Sequence, residues 1–353
     1  MGSSSNAGGR GLVDVDRLAR FMDTHGLAVG APIEISRITK GHSNEVFKVE
    51  RGDLVLALRR PPRVGYGPGA HDMVREYRVL SALGAGPTRA VPVPRTYALC
   101  EDPEILGAPF FLMELLDGVV ARDDFPAALV AEGSPRQVSY ALVDTLVAVH
   151  AFDWETAGLG NLGRPAGFLQ RQTDRWLGMI ERVRVRELPE IGEVTAWLRN
   201  HIPSVEQKPS LIHWDYRLDN VMFRPELPVR VRSVLDWEVA TIGDPLIDLG
   251  WLLGMWKEPN DSLVAWPGNL PLHTTRGADD IPTRKELADR YAAKTGRDVS
   301  HLAFYTVLGL FKLAALMEAA YARHVAGRGD DPLMASMEQR VPELTRQALR
   351  FAD

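Results

Sequence analysis

Cysteine is nearly absent from this 353-residue chain. Cys100 stands alone, so an internal disulfide framework is excluded, and a reducing compartment, the cytoplasm, is the expected setting. Positive charge is not in excess either: 41 Lys and Arg stand against 46 Asp and Glu, a net charge of −5. No run of five or six basic residues occurs, so the electrostatic footprint of a nucleic-acid binder is missing and no nucleic-acid partner is expected. Residues 1–9 are Gly/Ser/Ala-rich and lack the apolar segment of a signal peptide or membrane anchor, so they read as a disordered tail. Long hydrophobic runs are also scarce. The longest, residues 302–322, contains Lys312 and Glu318, which would be costly in lipid, so it reads as a buried helix and no membrane association is expected. Neither an internal repeat of 20–50 residues nor a heptad seam stands out.

What is present is the composition of a soluble globular protein, with 45% hydrophobic and 25% charged residues. Its length suits two lobes better than one core. Apolar residues at helical spacing predict a helix over 13–25, stopped by Gly26. Alternating runs predict strands over 33–38, 45–50 and 54–59, the last two joined by the turn Arg51-Gly52-Asp53. A helix over 73–83 follows, then strands over 95–100 and 109–115. Asp117-Gly118 breaks the pattern, and beyond it helices are expected over 138–150, 168–185, 191–202, 285–295, 302–326 and 337–351. The fold class is therefore α+β, with a β-rich lobe over 10–117 and a mainly helical lobe over 118–353.

The chemistry is concentrated in His213-Trp214-Asp215-Tyr216-Arg217-Leu218-Asp219-Asn220, a polar loop between two apolar runs. An Asp followed five residues later by an Asn is the spacing of a protein-kinase catalytic loop, where the Asp accepts the proton of the attacking hydroxyl and the Asn holds Mg²⁺. Asp215 and Asn220 match it, and Arg217 lies where a cation could touch the transferred phosphate. Phosphoryl transfer needs such a set because the transition state carries its charge on phosphate oxygens. A second run, Val234-Leu235-Asp236-Trp237-Glu238, ends a strand-like segment in an acid, and Asp236 is placed as a Mg²⁺ ligand.

With Gly243-Asp244-Pro245 and Asp248-Leu249 following in order, these blocks resemble the aminoglycoside phosphotransferase family, which shares its fold with protein kinases. Leu58-Arg59-Arg60-Pro61-Pro62, Arg75-Glu76-Tyr77 and Phe311-Lys312-Leu313-Ala314 resemble the branch also found fused to acyl-CoA dehydrogenases. The resemblance runs from about residue 33 to 323 and implies a kinase-like two-lobed fold that uses ATP and Mg²⁺ to phosphorylate a hydroxyl of a small molecule. It further implies that the turn Gly41-His42-Ser43-Asn44, through Gly41 and Ser43, covers the ATP phosphates. Arg59 is then the cation of the third strand, Glu76 its helix partner, and the backbone of Glu114 and Leu116 the adenine-binding hinge. Two departures stand out: the phosphate turn has a single glycine, and Arg59 replaces the Lys of protein kinases, a bidentate guanidinium in place of a point charge.

Plainer readings stand beside these. Asp244 and Asp248 suit turn, capping or bracing roles better than metal binding, His213 suits packing, Asp219 suits capping or solvent, and Arg59 with Glu76 could be an ordinary ion pair. Lys312, Glu318, Tyr321 and Arg323 lie on an apolar helix and either line an acceptor pocket or form buried pairs. Trp176, with Arg171 and Arg175, sits on a helix that either covers a pocket or simply packs. The rival functions are a non-catalytic nucleotide-binding module and a metal-dependent hydrolase, the latter lacking a second His-rich ligand set. For the acceptor, the cations among these residues do not suit a polycationic aminoglycoside, and the resemblance to the branch fused to acyl-CoA dehydrogenases implies a hydroxylated acyl compound as the alternative, with Lys312 or Arg323 meeting its carboxylate or phosphate.

Overall fold

Asp14 opens the first helix by accepting the Arg17 N–H at 3.0 Å, and Gly26, at φ 69°, turns the chain out of it. The computed structural model describes residues 13–38, 44–62, 71–86, 90–121, 129, 135–205, 207–258, 281–328 and 332–352; the expected tail at 1–9 lies outside them. The chain divides into two compact units: one running to Asp117 and including Ala157–Leu159 and Arg232–Ala240, the other made of the remainder.

The first unit holds α1 (Val15–Thr24) and the strands β1 (Ile33–Ile38), β2 (Glu45–Arg51) and β3 (Leu54–Arg60). These are followed by α2 (Met73–Ala85), β4 (Thr96–Cys100), the one-turn α3 (Pro103–Leu106) and β5 (Phe110–Glu114). Five antiparallel strands lie in the order β1-β2-β3-β5-β4. The pairing of Arg51 with Leu54 leaves the two-residue turn Gly52-Asp53, where Gly52 takes φ 55°, the positive φ that such hairpin turns demand. Phe47, Val49, Leu56, Leu58, Phe110 and Leu112 from one sheet face pack with Leu18 and Met22 of α1. Arg51 is buried under α1, its guanidinium donating to the carbonyls of Ala31 (3.1 Å) and Ala19 (2.9 Å) and to Asp23 (2.7 Å), so this buried cation is well supplied with acceptors.

The second unit begins with β6 (Val119–Val120), α4 (Pro135–His150), α5 (Phe168–Val183) and α6 (Pro189–Asn200). Short strands β7 (Ser210–Ile212) and β8 (Val221–Phe223) flank a polar loop that ends in a single 3-10 turn, Leu218–Asn220. β9 (Val231–Val234) leads into the Arg232–Ala240 segment of the first unit, and β10 (Thr241–Gly243) returns to pair with β7. The helices α7 (Leu246–Met255), α8 (Arg284–Thr295), α9 (Leu302–Val325) and α10 (Pro332–Arg350) complete it.

Helix α9 is long and apolar enough to cross a membrane, yet 72% of its most apolar window is buried within the protein, where it packs against α5, α7 and α10. Helix α7 was not expected from the sequence. All ten of its residues are buried, so it shows no polar face from which a helical period could be recognised. It crosses α9 at very close range: a Cβ on Gly250 would come within 2.5 Å of the Tyr305 backbone.

Candidate functional site

Within the second unit, the loop between β7 and β8 turns on a strained residue. Trp214 has φ 65°, a conformation a bulky side chain adopts only when its surroundings impose it. The Trp214 N–H donates to Asp248 Oδ1 at 2.6 Å, and the His213 N–H donates to Asp248 Oδ2 at 2.7 Å. On its other side, the Trp214 carbonyl accepts from the Lys312 ammonium. Asp248, from α7, thus braces the loop. Asp244 does comparable work nearby, accepting the Leu246 N–H at 3.0 Å and the Tyr305 hydroxyl at 2.9 Å.

A further layer holds Asp248. His150 Nε2 lies 3.2 Å from Asp248 Oδ2, and His150 Nδ1 lies 2.7 Å from the Tyr291 hydroxyl. Burial pushes the His150 pKa down despite the pull of Asp248, which favours a neutral ring. The carboxylate then fixes the tautomer, with Nε2–H donating to Asp248 and Nδ1 accepting from Tyr291.

Beyond this turn, the two residues predicted by spacing meet. Asn220 Nδ2 donates to Asp215 Oδ2 at 2.9 Å and to the Asp215 carbonyl at 2.9 Å. Arg217 Nε stands 3.4 Å from Asp215 Oδ1 and 3.1 Å from Asp219 Oδ1, so Asp219 is an ion-pair partner of Arg217. The Asp215 side chain keeps 30% of its surface exposed, enough to meet a ligand. His213 is fully buried, and its Nδ1 accepts the Asp215 N–H at 3.3 Å, a structural role.

Of the polar residues on α9, Glu318 pairs with Arg186 at 2.9 Å and accepts the Val185 N–H, while the Arg186 guanidinium lies over the Tyr321 ring. The carboxylate is buried and its partners are structural. Lys312 differs. Its ammonium lies 4.1 Å from the Trp214 ring centroid, 4.2 Å from that of Trp251 and 5.9 Å from that of Trp176. Burial brings its pKa down to about 8, with Asp215 and Asp248 acting against the fall. Trp176 is buried, packs near Trp214 and carries Arg175 over its face, while Arg171 donates to the Arg164 and Ala166 carbonyls.

The first unit gathers a second set. Arg59 Nε donates to Glu76 Oε2 at 2.8 Å, and Arg59 Nη2 donates to Asp236 Oδ1. Both Arg59 and Glu76 are buried, so their pairing is no ordinary surface contact. Glu238 Oε2 accepts from Asn44 Nδ2 at 2.6 Å and lies 3.0 Å from His71 Nδ1. Burial, together with repulsion from Asp236 and Glu238, pushes the Glu76 carboxyl up to about 7 against the attraction of Arg59. Burial works against the Arg59 charge, but the carboxylates of Glu76, Asp236 and Glu238 outweigh it and raise the Arg59 pKa. Three acids therefore share one guanidinium, a local excess of negative charge suited to a cation.

Asp236 itself sits at φ 65°, where Asp is among the residues that tolerate the left-handed region. Among the described residues no three His, Cys, Asp or Glu side chains gather into a metal cage. A single carboxylate such as that of Asp236 suits Mg²⁺, which keeps phosphate and water ligands. At the expected hinge, the Glu114 N–H donates to the Arg95 carbonyl at 2.7 Å and the Glu114 carboxylate pairs with Arg232 at 2.9 Å. Leu116 follows in the irregular segment after β5. Gly41 and Ser43 lie outside the described residues. Glu238 and His71 were given no role from sequence, although Glu238 stands only two residues beyond Asp236.

Residues 34–295 match the family model described as phosphotransferase enzyme family. The chain is 30% identical over 323 residues to acyl-CoA dehydrogenase family member 11 of Gallus gallus, covering 91% of this chain and 40% of that protein. It thus spans well under half the length of this relative. A solved structure from Ralstonia eutropha JMP134, classed with the aminoglycoside phosphotransferases, superposes with a TM-score of 0.80 at 30% identity, covering 96% of this chain and 98% of the other. A thermostable mutant of an aminoglycoside phosphotransferase, solved with ADP and hygromycin B, shares the fold at a TM-score of 0.59 and 16% identity, covering 93% and 97%.

Proposed function

The chain belongs to the phosphotransferase enzyme family, and on that premise we propose that it transfers the γ-phosphoryl group of ATP, with Mg²⁺, to a hydroxyl group of a small molecule. The observation that carries this reading is the Asn220–Asp215 side-chain hydrogen bond of 2.9 Å, which joins the base and the metal-binding amide of a kinase-type loop in one place.

Asp215 accepts the proton of the acceptor hydroxyl and orients its oxygen, a role that needs an exposed carboxylate held in a single geometry. Asn220 and Asp236 are each proposed as Mg²⁺ ligands, and the excess of carboxylates round Arg59 favours a divalent cation beside Asp236. Arg217 and Arg59 offer guanidinium donors to phosphate oxygens, and Glu76 keeps Arg59 in place. The Glu114 carbonyl and Leu116 N–H are assigned to the adenine, and Gly41 and Ser43 to the phosphates. When bound, Mg²⁺ and ATP supply the transferable phosphoryl group and the charge that offsets its oxygens. The acceptor is proposed to be an alcohol other than a polycationic sugar, and the name of the Gallus gallus relative makes hydroxylated acyl compounds the first class to try.

One observation favours a second reading, a nucleotide-binding module without turnover: the Asp236 carboxylate is engaged by Arg59. A thermal-shift titration with ATP, with and without Mg²⁺, followed by a mass-based product assay over hydroxylated acyl compounds and aminoglycosides, separates the two. A Mg²⁺-enhanced shift with a phosphorylated product is the expected result. A shift without product across the panel favours the module, and the absence of any shift rejects both.

A further inference from the structure

Among the described residues Lys312 is a buried cation without a carboxylate partner. It is 5% exposed, and it donates a hydrogen bond to the Trp214 carbonyl. Buried charges normally persist only when paired, so the site must hold this one by other means. The faces of Trp214 and Trp251 supply them, with Trp176 farther off. The same three tryptophans are buried, and among the described residues none of their indole N–H groups has a hydrogen-bond partner. A buried Trp ordinarily finds one. The rings thus serve the ammonium, whereas simple packing at this place would be satisfied by a methionine.

We infer that Lys312 is a positioning residue for phosphoryl transfer, fixing through the Trp214 carbonyl the strained turn that presents Asp215. This rests on the proposed role of Asp215. The turn needs holding from both sides because Trp214 is in the left-handed region. Asp248 takes its N–H and Lys312 takes its C=O, so the peptide plane leading directly into Asp215 is held by Lys312 at its oxygen. The charged groups that act on the ammonium are Asp215, Asp248, Arg175 and Arg217.

The test replaces the ammonium by a chain of similar shape, Lys312→Met, with Lys312→Gln run alongside in case only one variant folds. Two readouts are taken. In turnover, kcat is expected to fall roughly 10- to 100-fold while KM for ATP stays within about twofold, the pattern of a misplaced reacting group. In hydrogen–deuterium exchange, the peptide covering residues 211–218 is expected to exchange roughly tenfold faster while peptides of α6 are unchanged. A kcat within about twofold of wild type, or unchanged exchange in that peptide, overturns the inference and leaves the proposed activity standing. If the wild-type protein itself yields no product, the proposed activity falls, and the exchange readout alone decides whether Lys312 positions the turn.

Discussion

Asp248 and Lys312 grip the same residue from opposite ends, one accepting the Trp214 N–H at 2.6 Å and the other donating to the Trp214 carbonyl. They come from different helices, α7 and α9, which approach closely because Gly250 has no Cβ to collide with Tyr305. A close helix crossing thus becomes a local device: it brings an acceptor and a donor to the two backbone polar groups of one strained residue. The loop that carries Asp215 and Asn220 takes its shape from this crossing as much as from its own sequence.

Asp248 accepts two backbone N–H groups in a fully buried place. Asp248→Asn keeps the shape but turns one acceptor into a donor facing a donor. We expect a loss of roughly 2–3 kcal/mol of stability, read by urea denaturation, and a fall in kcat larger than any change in KM for ATP.

Lys312→Met should raise stability at neutral pH while lowering turnover. The folded-state pKa of Lys312 lies near 8 and its ordinary value is 10.5, so the folded protein binds this proton less readily than the unfolded chain does. Below pH 8 both states carry the proton and the folded state bears the full cost of the buried charge. Between about 8 and 10.5 only the unfolded state carries it, and wild-type stability gains relative to the variant as pH rises. The difference at pH 7 is on the order of 3 kcal/mol by the pKa shift, less whatever the lost carbonyl hydrogen bond contributes. Paired denaturation curves at pH 7 and pH 10 check both sign and window.

Gly250→Ala tests the crossing itself. The added methyl would meet the Tyr305 backbone carbon and Cβ at 2.5 Å, and backbone does not yield cheaply. A destabilisation of about 1–3 kcal/mol is expected, whereas Gly192→Ala, whose Cβ would meet nothing within 4 Å, should be neutral or slightly stabilising.

Much of this was readable from residue order, and the exceptions have physical causes. The strands β1, β2 and β3 begin where alternation predicts, because one sheet face is buried and the Gly52-Asp53 turn sets the register. Asp215 and Asn220 could be paired because their bond spans only five residues. The helix α7 escaped notice because burial on every side erases the periodicity that marks a helix, and α3 because four residues are too few to show one. The partners of Lys312 and Asp248 are separated from them by 98 and 34 residues, and only the folded chain reveals that both act on Trp214. The return of Arg232–Ala240 to the first unit, which sets Asp236 beside Arg59, is likewise a product of topology.

Arg59→Ala should be far more damaging than Glu76→Gln. Removing the guanidinium leaves the buried Glu76 facing Asp236 and Glu238 without a cation, an uncompensated charge that typically costs about 3–5 kcal/mol. The Gln variant instead removes one of three negative charges from a crowded site. Thermal melts of both, with and without Mg²⁺ and ATP, should show the Ala variant least stable and least responsive to nucleotide.

The most direct test of the account is the turnover of Asp215→Asn on an acceptor identified with the wild-type protein, measured beside its affinity for ATP. Asparagine keeps the size and the hydrogen-bonding reach of the side chain but cannot take up the hydroxyl proton. A fall in kcat of about 10²–10⁴-fold with ATP affinity preserved within about threefold is the predicted outcome. Turnover close to wild type would remove Asp215 from the chemistry, and with it the phosphotransfer roles assigned to the loop around it.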